Sequence, residues 1–116
     1  MDQSNCIFCR IIKGESPSRT VYQDDQVVAF LDISPAAPIH ILIIPRKHIS
    51  SINEIEIGDE ALIGHMFTSA KKLAFDNGIA ESGYRLIINT GPDAKQAVFH
   101  IHLHLLGGEQ MRFPMG

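Results

Sequence analysis

The sequence predicts an α+β protein in which one main helix packs on a five-stranded antiparallel sheet. Short apolar segments bounded by turn residues recur along the chain, one longer segment has helical periodicity, and the other connections are short. The chain has 116 residues, of which 45% are hydrophobic and 20% charged. This length allows one modest core, so we expect a single domain over residues 1–116.

The predicted elements follow one another closely. A short helix or turn covers residues 7–13 and ends at Gly14. The predicted strands are 20–23, 27–31, 39–44, 84–90 and 97–106. The main helix lies between the third and fourth strands, with Asp59 as its N-cap and Asn77-Gly78 at its end. His65 on this helix is interpreted as a boundary histidine without function.

Composition excludes several classes of protein. The net charge of −3 gives no electrostatic reason to expect a nucleic-acid or membrane partner. No apolar run approaches the roughly 20 residues that a membrane span needs. Residues 1–5 lack the basic and apolar regions of a secretory leader. We therefore expect a cytoplasmic protein that binds no nucleic acid and no membrane.

The last predicted strand carries three histidines on one face. With a period of two, Phe99, Ile101, Leu103 and Leu105 point one way, and His100, His102 and His104 point the other. Same-face side chains on a strand stand roughly 6.6 to 6.8 Å apart, so neighbouring rings can act on one small ligand. Imidazole can be a nucleophile, acid, base or metal ligand. A lone histidine is more often structural, but three of the chain's six histidines on this face indicate a site.

The residues around this strand resemble a known family. The run His100-Ile101-His102-Leu103-His104-Leu105-Leu106 resembles the histidine triad motif, His-x-His-x-His-x-x with apolar x. The segments 32–35 and 44–48, together with Pro38 and His40, resemble the N-terminal half of that family. The segment 107–111, with Pro114, is similar to the tail of the Hint branch, the histidine triad nucleotide-binding proteins.

The resemblance implies an activity and an assembly. It implies a purine nucleoside phosphoramidase that cleaves the P–N bond of an adenosine or guanosine 5′-phosphoramidate through a covalent nucleotidyl-histidine, with no cofactor in catalysis. His102 matches the nucleophile, and His104 matches the residue that contacts the α-phosphate. His40 and His100 match residues that orient the catalytic ring. The resemblance also implies a homodimer whose sheets join across a two-fold axis.

The resemblance further implies a pocket for a purine nucleotide such as AMP or GMP. Asp32 matches the acid that binds the ribose hydroxyls, Ile33 the residue that packs on the base, and Asn89 a phosphate ligand. The apolar slot is completed by Ile7, Phe8, Phe30 and Leu42. The sequence pattern alone does not separate Phe30 and Leu42 from ordinary core residues.

The loop before the triad departs from the Hint pattern. Lys95-Gln96-Ala97 stands where the branch typically has Gly-Gln-Ser, so the serine hydroxyl is missing at Ala97. We still expect Gln96, Ala97 and Val98 to belong to the nucleotide-binding site, with the backbone amide of Val98 serving the phosphate. The activity is retained in this interpretation, and the rate and the leaving-group preference are expected to change.

Cys6 and Cys9 form a C-x-x-C pair. With His48 and His100 they make a suitable ligand set for a closed tetrahedral zinc site, and some proteins of the family hold a structural zinc with such a set. The two histidines lie far from the cysteines in the sequence, so spacing alone leaves the zinc site open. A thioredoxin-like redox pair lacks the preceding strand and βαβ pattern.

Three other functions remain open at the level of sequence. One is a dinucleoside polyphosphate hydrolase of the same superfamily. Another is a metalloenzyme with His100, His102 and His104 as ligands, which would lose activity with a chelator. The third is a nucleotide-binding interaction module with little turnover.

Overall fold

A computed structural model describes residues 5–112 and 114–116 of the chain. Met1–Ser4, which contribute to the expected absence of a leader, and Phe113 lie outside the described residues. Two helices and five strands occur in the order α1 (Ile7–Ile12), β1 (Thr20–Gln23), β2 (Val27–Leu31), β3 (Ile39–Pro45), α2 (Glu60–Asp76), β4 (Tyr84–Ile87) and β5 (Leu103–Gly107). Two 3-10 turns, Ile52–Glu54 and Ile57–Asp59, precede α2. The predicted fold class is confirmed.

The five strands form one antiparallel sheet in the order β1-β2-β3-β5-β4. The first three strands follow one another as a meander, as their short connections predict. The last strand then lies between β3 and β4, so the order of the strands in the sheet departs from their order in the chain. The insertion places His104 opposite Leu42 of β3 on one side and Ile87 of β4 on the other.

The main core lies between α2 and one face of the sheet. Met66, Ala70, Leu73 and Ala74 of α2 are buried at helical spacing, which is the periodicity seen in the sequence. The strand residues that share this core are Val27, Ala29, Ile41, Ile43, Leu103 and Leu105. Alternate residues of these strands point to the opposite face, and the site forms there.

The start of α2 differs in detail from the prediction. Asp59 is the N-cap residue, but its side chain makes no capping hydrogen bond to α2. Its carboxylate instead accepts from the Glu56 amide at 3.0 Å and from Lys47 Nζ at 2.6 Å. The 3-10 turn that ends at Asp59 satisfies the carboxylate locally, so the acid stabilises the entry to the helix rather than the helix itself.

The opposite face of the sheet carries a smaller cluster beneath α1. Phe8 of α1 packs edge-on against Phe30 of β2, with ring centroids 5.4 Å apart. Val28, Leu42 and Ile44 complete the buried part of this cluster. Cys6 is the N-cap of α1, and its Sγ accepts from the Cys9 amide at 3.4 Å. The short helix thus brings an apolar wall and two thiols to the triad side of the sheet.

The histidine strand is shorter than predicted. Only Leu103–Gly107 pairs with neighbouring strands, and the chain bends at residues 98–100. The amide of Ile101 donates to the carbonyl of Ile49 at 2.7 Å, outside the strand ladder. Because of the bend, Phe99 is 59% exposed and does not share the burial of Ile101, Leu103 and Leu105, with which the alternation grouped it. β4 likewise ends at Ile87, three residues earlier than predicted.

Within the described part of the chain, no helix combines the length and the apolar character needed to cross a membrane.

Candidate active site

The triad histidines lie at the start of β5 and in the extended segment before it. The rings of His102 and His104 have centroids 5.0 Å apart, and the rings of His40 and His104 have centroids 5.2 Å apart. His40 reaches the triad because it lies on β3, whose alternate residues face the same side as His104. Three imidazoles from two adjacent strands therefore form one continuous cluster.

His102 is held in the tautomer that a nucleophile needs. Its Nδ1 lies 2.8 Å from the carbonyl oxygen of His100, which can only accept, so Nδ1 carries the proton and Nε2 keeps a free lone pair. The edge contact with Phe8, at 5.1 Å between centroids, supports the ring. Burial lowers the pKa of His102, so the ring is neutral near pH 7. The nitrogen that points away from the carbonyl can attack an electrophile.

His40 and His104 form a second ordered pair. The amide of Ala36 donates to Nδ1 of His40 at 3.0 Å, so the proton of His40 lies on Nε2. That proton is donated to Nδ1 of His104, 2.9 Å away, which leaves the His104 proton on Nε2. Nε2 of His104 is buried and has no hydrogen-bond partner among residues 5–112 and 114–116. Burial and the neighbouring imidazoles of His102 and His40 lower the pKa of His104 to about 4. His104 therefore offers a neutral N–H donor next to the nucleophile.

The sequence assigned the orientation of the catalytic ring to His40 and His100, and the structure distributes this role differently. The ring of His40 contacts His104 rather than His102. His102 is held by the backbone carbonyl of His100, not by its side chain. Sequence reasoning missed this carbonyl and the Ala36 amide because a side-chain pattern carries no information on main-chain hydrogen bonds.

The side chain of His100 belongs to a cluster with Cys6, Cys9 and His48. Nε2 of His100 donates to the carbonyl of Pro45 at 2.8 Å, so the lone pair of Nδ1 faces the cysteines. Nδ1 lies 3.4 Å from Cys6 Sγ and 3.5 Å from Cys9 Sγ, and His48 Nδ1 lies 3.2 Å from Cys9 Sγ. Burial raises the pKa of the Cys9 thiol to about 11. It lowers that of His100 to about 4.

This cluster fits a tetrahedral metal. The four candidate ligand atoms all lie within 4.8 Å of one another. Two thiols and two imidazoles are a common structural zinc set, and a ligand histidine typically donates its other N–H to a carbonyl, as His100 does to Pro45. The structure thus brings together all four residues that the sequence grouped.

Asp32, His40 and His104 form another compact trio, and its chemistry does not fit a metal. Their candidate ligand atoms lie within 4.8 Å of one another. A metal on Nε2 of His40 would require the proton on Nδ1, but Nδ1 faces the N–H of Ala36. The trio is better described as a hydrogen-bonded pair, His40 and His104, with a carboxylate beside it, because Asp32 Oδ2 lies 3.4 Å from His40 Nε2.

The three triad histidines do not converge on one metal position. His100 groups with the cysteines and His104 with Asp32 and His40, and among the described residues His102 belongs to neither group. The geometry therefore disfavours a metalloenzyme that uses His100, His102 and His104 as its ligands.

Comparison with known proteins agrees with this arrangement. A HIT domain model matches residues 13–111. The chain is 54% identical over 105 residues to a purine nucleoside phosphoramidase of Escherichia coli K12, covering 90% of this chain and 88% of the relative. The chain belongs to the HIT family.

Solved HIT structures have the same fold. A HIT family hydrolase from Legionella pneumophila superposes with a TM-score of 0.94 at 50% identity, covering 97% of this chain and 100% of the other. A histidine triad protein from Clostridium difficile gives 0.93 at 41% identity, with 97% and 98% covered. The resemblance seen in the sequence is thereby confirmed at the level of the family.

The residues expected to bind the base lie on the triad side of the sheet. Phe8, Phe30 and Leu42 are buried in the small cluster, and Ile7 packs against it. Ile33 is 97% exposed just beyond β2, so its side chain is free to cover a planar ligand. Phe30 and Leu42, which the pattern left undecided, are buried members of this cluster, so a contact between them and a nucleotide stays a prediction.

The residues expected to bind ribose and phosphate flank the histidines. Asp32 accepts from the Ser34 amide at 2.7 Å. Asn89 lines a cavity of about 480 Å³ together with His40 and His104. Asp32 and Asn89 therefore both lie near the His40–His104 pair.

The side chain of Gln96 holds the loop 91–98 in place through hydrogen bonds to the main chain. The buried amide of Gln96 donates to the carbonyls of Ser50 and Val98 and accepts from the Gly91 amide. Both of its N–H groups are used within the chain, so Gln96 organises the loop and has no donor left for a nucleotide. Ala97 and Val98 border a cavity of about 430 Å³ beside Cys6.

Proposed function

We propose that this protein is a purine nucleoside phosphoramidase that works through a covalent nucleotidyl intermediate on His102. The observation that carries the proposal is the hydrogen bond from His102 Nδ1 to the His100 carbonyl, which leaves Nε2 free on a ring whose centroid is 5.0 Å from that of His104. The relative that is 54% identical and is named a purine nucleoside phosphoramidase supports the same reaction. The proposed substrates are thus amide derivatives of purine nucleoside monophosphates.

The residues divide the work of binding. The base lies on Ile7, Phe8, Phe30 and Leu42, with Ile33 over it, and the ribose hydroxyls bind Asp32. The α-phosphate lies between His102 and His104, and Asn89 and the Val98 amide donate to its oxygens. Phosphoryl transfer depends mainly on positioning and on charge stabilisation, which neutral N–H donors in a buried site supply.

The reaction proceeds in two displacements. Nε2 of His102 attacks phosphorus and forms a P–N bond, while the bond to the leaving amine breaks and its electron pair stays on the amine nitrogen, which takes a proton from water. Water then attacks phosphorus, releases the nucleoside monophosphate and returns the lone pair to Nε2. The carbonyl of His100 stabilises the positive charge that develops on the ring, because it accepts from Nδ1–H throughout.

The first experiment is hydrolysis of an adenosine 5′-phosphoramidate that carries a fluorescent amine. We expect turnover by the wild type that resists a chelator added to the assay, and loss of at least about 10³-fold in kcat for His102→Ala, since the covalent step is removed. Binding of AMP by the variant, measured by calorimetry, controls for folding.

The other outcomes identify the alternatives. A wild type that binds AMP but does not turn over would contradict the proposal and favour an interaction module, with Ala97→Ser as the first change to make. Faster cleavage of a dinucleoside polyphosphate than of the phosphoramidate would favour the hydrolase alternative.

We also propose a structural zinc at Cys6, Cys9, His48 and His100. The support is the closed donor set and the hydrogen bond from His100 to Pro45. The free thiols fit the reducing cytoplasm, which is the proposed compartment. Purified protein should contain one zinc per chain, and Cys6→Ser should lose it and melt earlier. The zinc proposal would be refuted if the native protein contained no zinc and Cys6→Ser had an unchanged melting temperature.

A further inference from the structure

His100 joins the thiol cluster to the nucleophile. Its imidazole faces Cys6 and Cys9, while its own carbonyl accepts from Nδ1 of His102. The imidazole of His100 therefore contacts the thiol cluster, and its carbonyl contacts the nucleophile. A single residue links the thiols to the ring of His102.

His100 has little freedom to move its two ends independently. It is fully buried, at 0% exposure, and its Nε2 is tied to the Pro45 carbonyl. The next residue, Ile101, donates its amide to Ile49, and the preceding segment bends at residues 98–100. Because the ring and the following peptide are both anchored, a displacement of the ring must be taken up at the carbonyl between them.

The His100 carbonyl decides whether His102 can attack. Within the described residues, this carbonyl accepts the hydrogen bond from Nδ1 of His102. An imidazole without such a partner exchanges between two neutral tautomers, and one of them carries its proton on Nε2 and has no lone pair there. A small shift of this carbonyl would therefore lower the fraction of enzyme that is ready to react, without altering the nucleotide pocket.

We propose that Cys6, Cys9 and His48 are positioning residues for catalysis, which hold the His100 imidazole and thereby hold the carbonyl that selects the reactive tautomer of His102. The proposal rests on the proposed function, because it takes His102 as the nucleophile. It assigns the cluster a role in the rate of the reaction in addition to any role in stability.

Two observations favour this role over a purely structural one. The cluster contacts the triad directly through His100 and not through a chain of packed residues. In addition, Phe8, which lies between Cys6 and Cys9 on α1, packs on the rings of both His100 and His102, at 6.0 and 5.1 Å between centroids. The segment that carries the cluster therefore supports His102 in two ways, through the carbonyl of His100 and through the ring of Phe8.

The test compares Cys6→Ser and Cys9→Ser with the wild type in two measurements. The first is steady-state hydrolysis of the fluorescent adenosine phosphoramidate. We expect kcat to fall about tenfold, as is usual when a group that orients a reacting side chain is lost, while KM stays within about twofold. The second is nitrogen NMR of protein labelled at histidine, in which wild-type His102 should show a protonated Nδ1 and a bare Nε2, and the variants an averaged pair.

Ile79→Val is the matched control. Ile79 lies in the main core on the other face of the sheet, so its truncation lowers stability without touching the cluster. It should leave both kcat and the His102 spectrum unchanged. If the serine variants do not fold, His48→Asn replaces them, because it removes the imidazole that contacts Cys9 and leaves both thiols in place, and the same averaging of the His102 signals is expected.

The proposal is overturned if the His102 nitrogen signals and kcat of folded variants match the wild type, since the cluster would then be only structural. It is also overturned if Ile79→Val alters them equally. The spectrum needs no turnover, so an inactive wild type would refute the proposed function and still leave the coupling measurable.

Discussion

At the scale of the residue, Lys95 is the one non-glycine residue with positive φ in the described part of the chain. Its φ is +59°, in the left-handed region that L side chains disfavour. It stands at the position where the Hint branch typically has glycine. The surrounding hydrogen bonds, Lys95 N to Pro92 O and Gln96 N to Gly91 O, hold the conformation in place.

Lys95→Gly should therefore stabilise the fold. Relief of the left-handed strain is worth about 1–2 kcal/mol, and the greater freedom of glycine in the unfolded chain offsets about 0.5–1 kcal/mol of it. We expect a net gain of up to about 1.5 kcal/mol in the free energy of unfolding, measured by urea denaturation. Lys95→Ala removes the same charge but keeps the strain, so an equal gain in the alanine variant would contradict this explanation.

The functional residues also show where sequence reasoning stops at this scale. Alternation along residues 99–105 is enough to bring His102 and His104 to one face, because it follows from backbone geometry. The alternation did not predict that the ring of His100 faces the cysteines, because that orientation depends on the bend at residues 98–100. The role of Gln96 was missed for the same reason, because its partners are carbonyls distant in sequence.

At the scale of the element, the turn between β1 and β2 is tied to α2 by one carboxylate. Asp24 accepts from the Gln26 and Val27 amides at 2.8 Å, from Tyr22 at 2.6 Å and from His65 Nε2 at 2.7 Å. Burial raises the pKa of this carboxyl, but the hydrogen bonds outweigh burial and hold the pKa well below its usual range. His65 thus has a structural role that its position on the helix did not reveal.

Asp24→Asn should cost about 2 kcal/mol of stability at pH 7, since several charge-assisted hydrogen bonds are weakened. The folded pKa is depressed, so the stabilisation is complete above the unfolded value of about 3.9 and is lost as the pH falls below it. The difference between wild type and variant, measured by denaturation at several pH values, should shrink below about pH 4. The exposed neighbour Asp25 provides the control, and a similar loss in Asp25→Asn would rule out a specific role for Asp24.

The strands and α2 were predictable because apolar periodicity reports which face of an element is buried. The order of the strands in the sheet was not predictable, because apolar periodicity does not indicate which strands lie next to each other. β5 lies between β3 and β4 although β4 precedes it in the chain. That insertion is what places His104 of β5 beside His40 of β3, so the site depends on the part of the topology that periodicity leaves open.

At the scale of the whole molecule, the sheet has two free edges that differ in shape. α2 covers one face, and α1 with the triad occupies the other, so association through the sheet must use β1 or β4. The pairing of β1 shifts register between Thr20 and Tyr22, a bulge of the kind that blunts an edge. β4 pairs regularly over its four residues. If the chain forms the homodimer that the family resemblance implies, with one sheet running across a two-fold axis, we expect the contact to use β4.

A lysine on either edge tests this assignment. Lysine on an edge strand opposes strand addition, so Ile87→Lys on β4 should shift the protein from about twice its chain mass of 12.8 kDa to the single-chain value in sedimentation. Val21→Lys on β1, which changes a side chain that is already 44% exposed, should leave the mass unchanged. Circular dichroism checks that both variants fold.

Two outcomes would contradict this assignment. Dissociation of the β1 variant alone would show that the interface uses β1, and a wild type that sediments as one chain would refute the dimer.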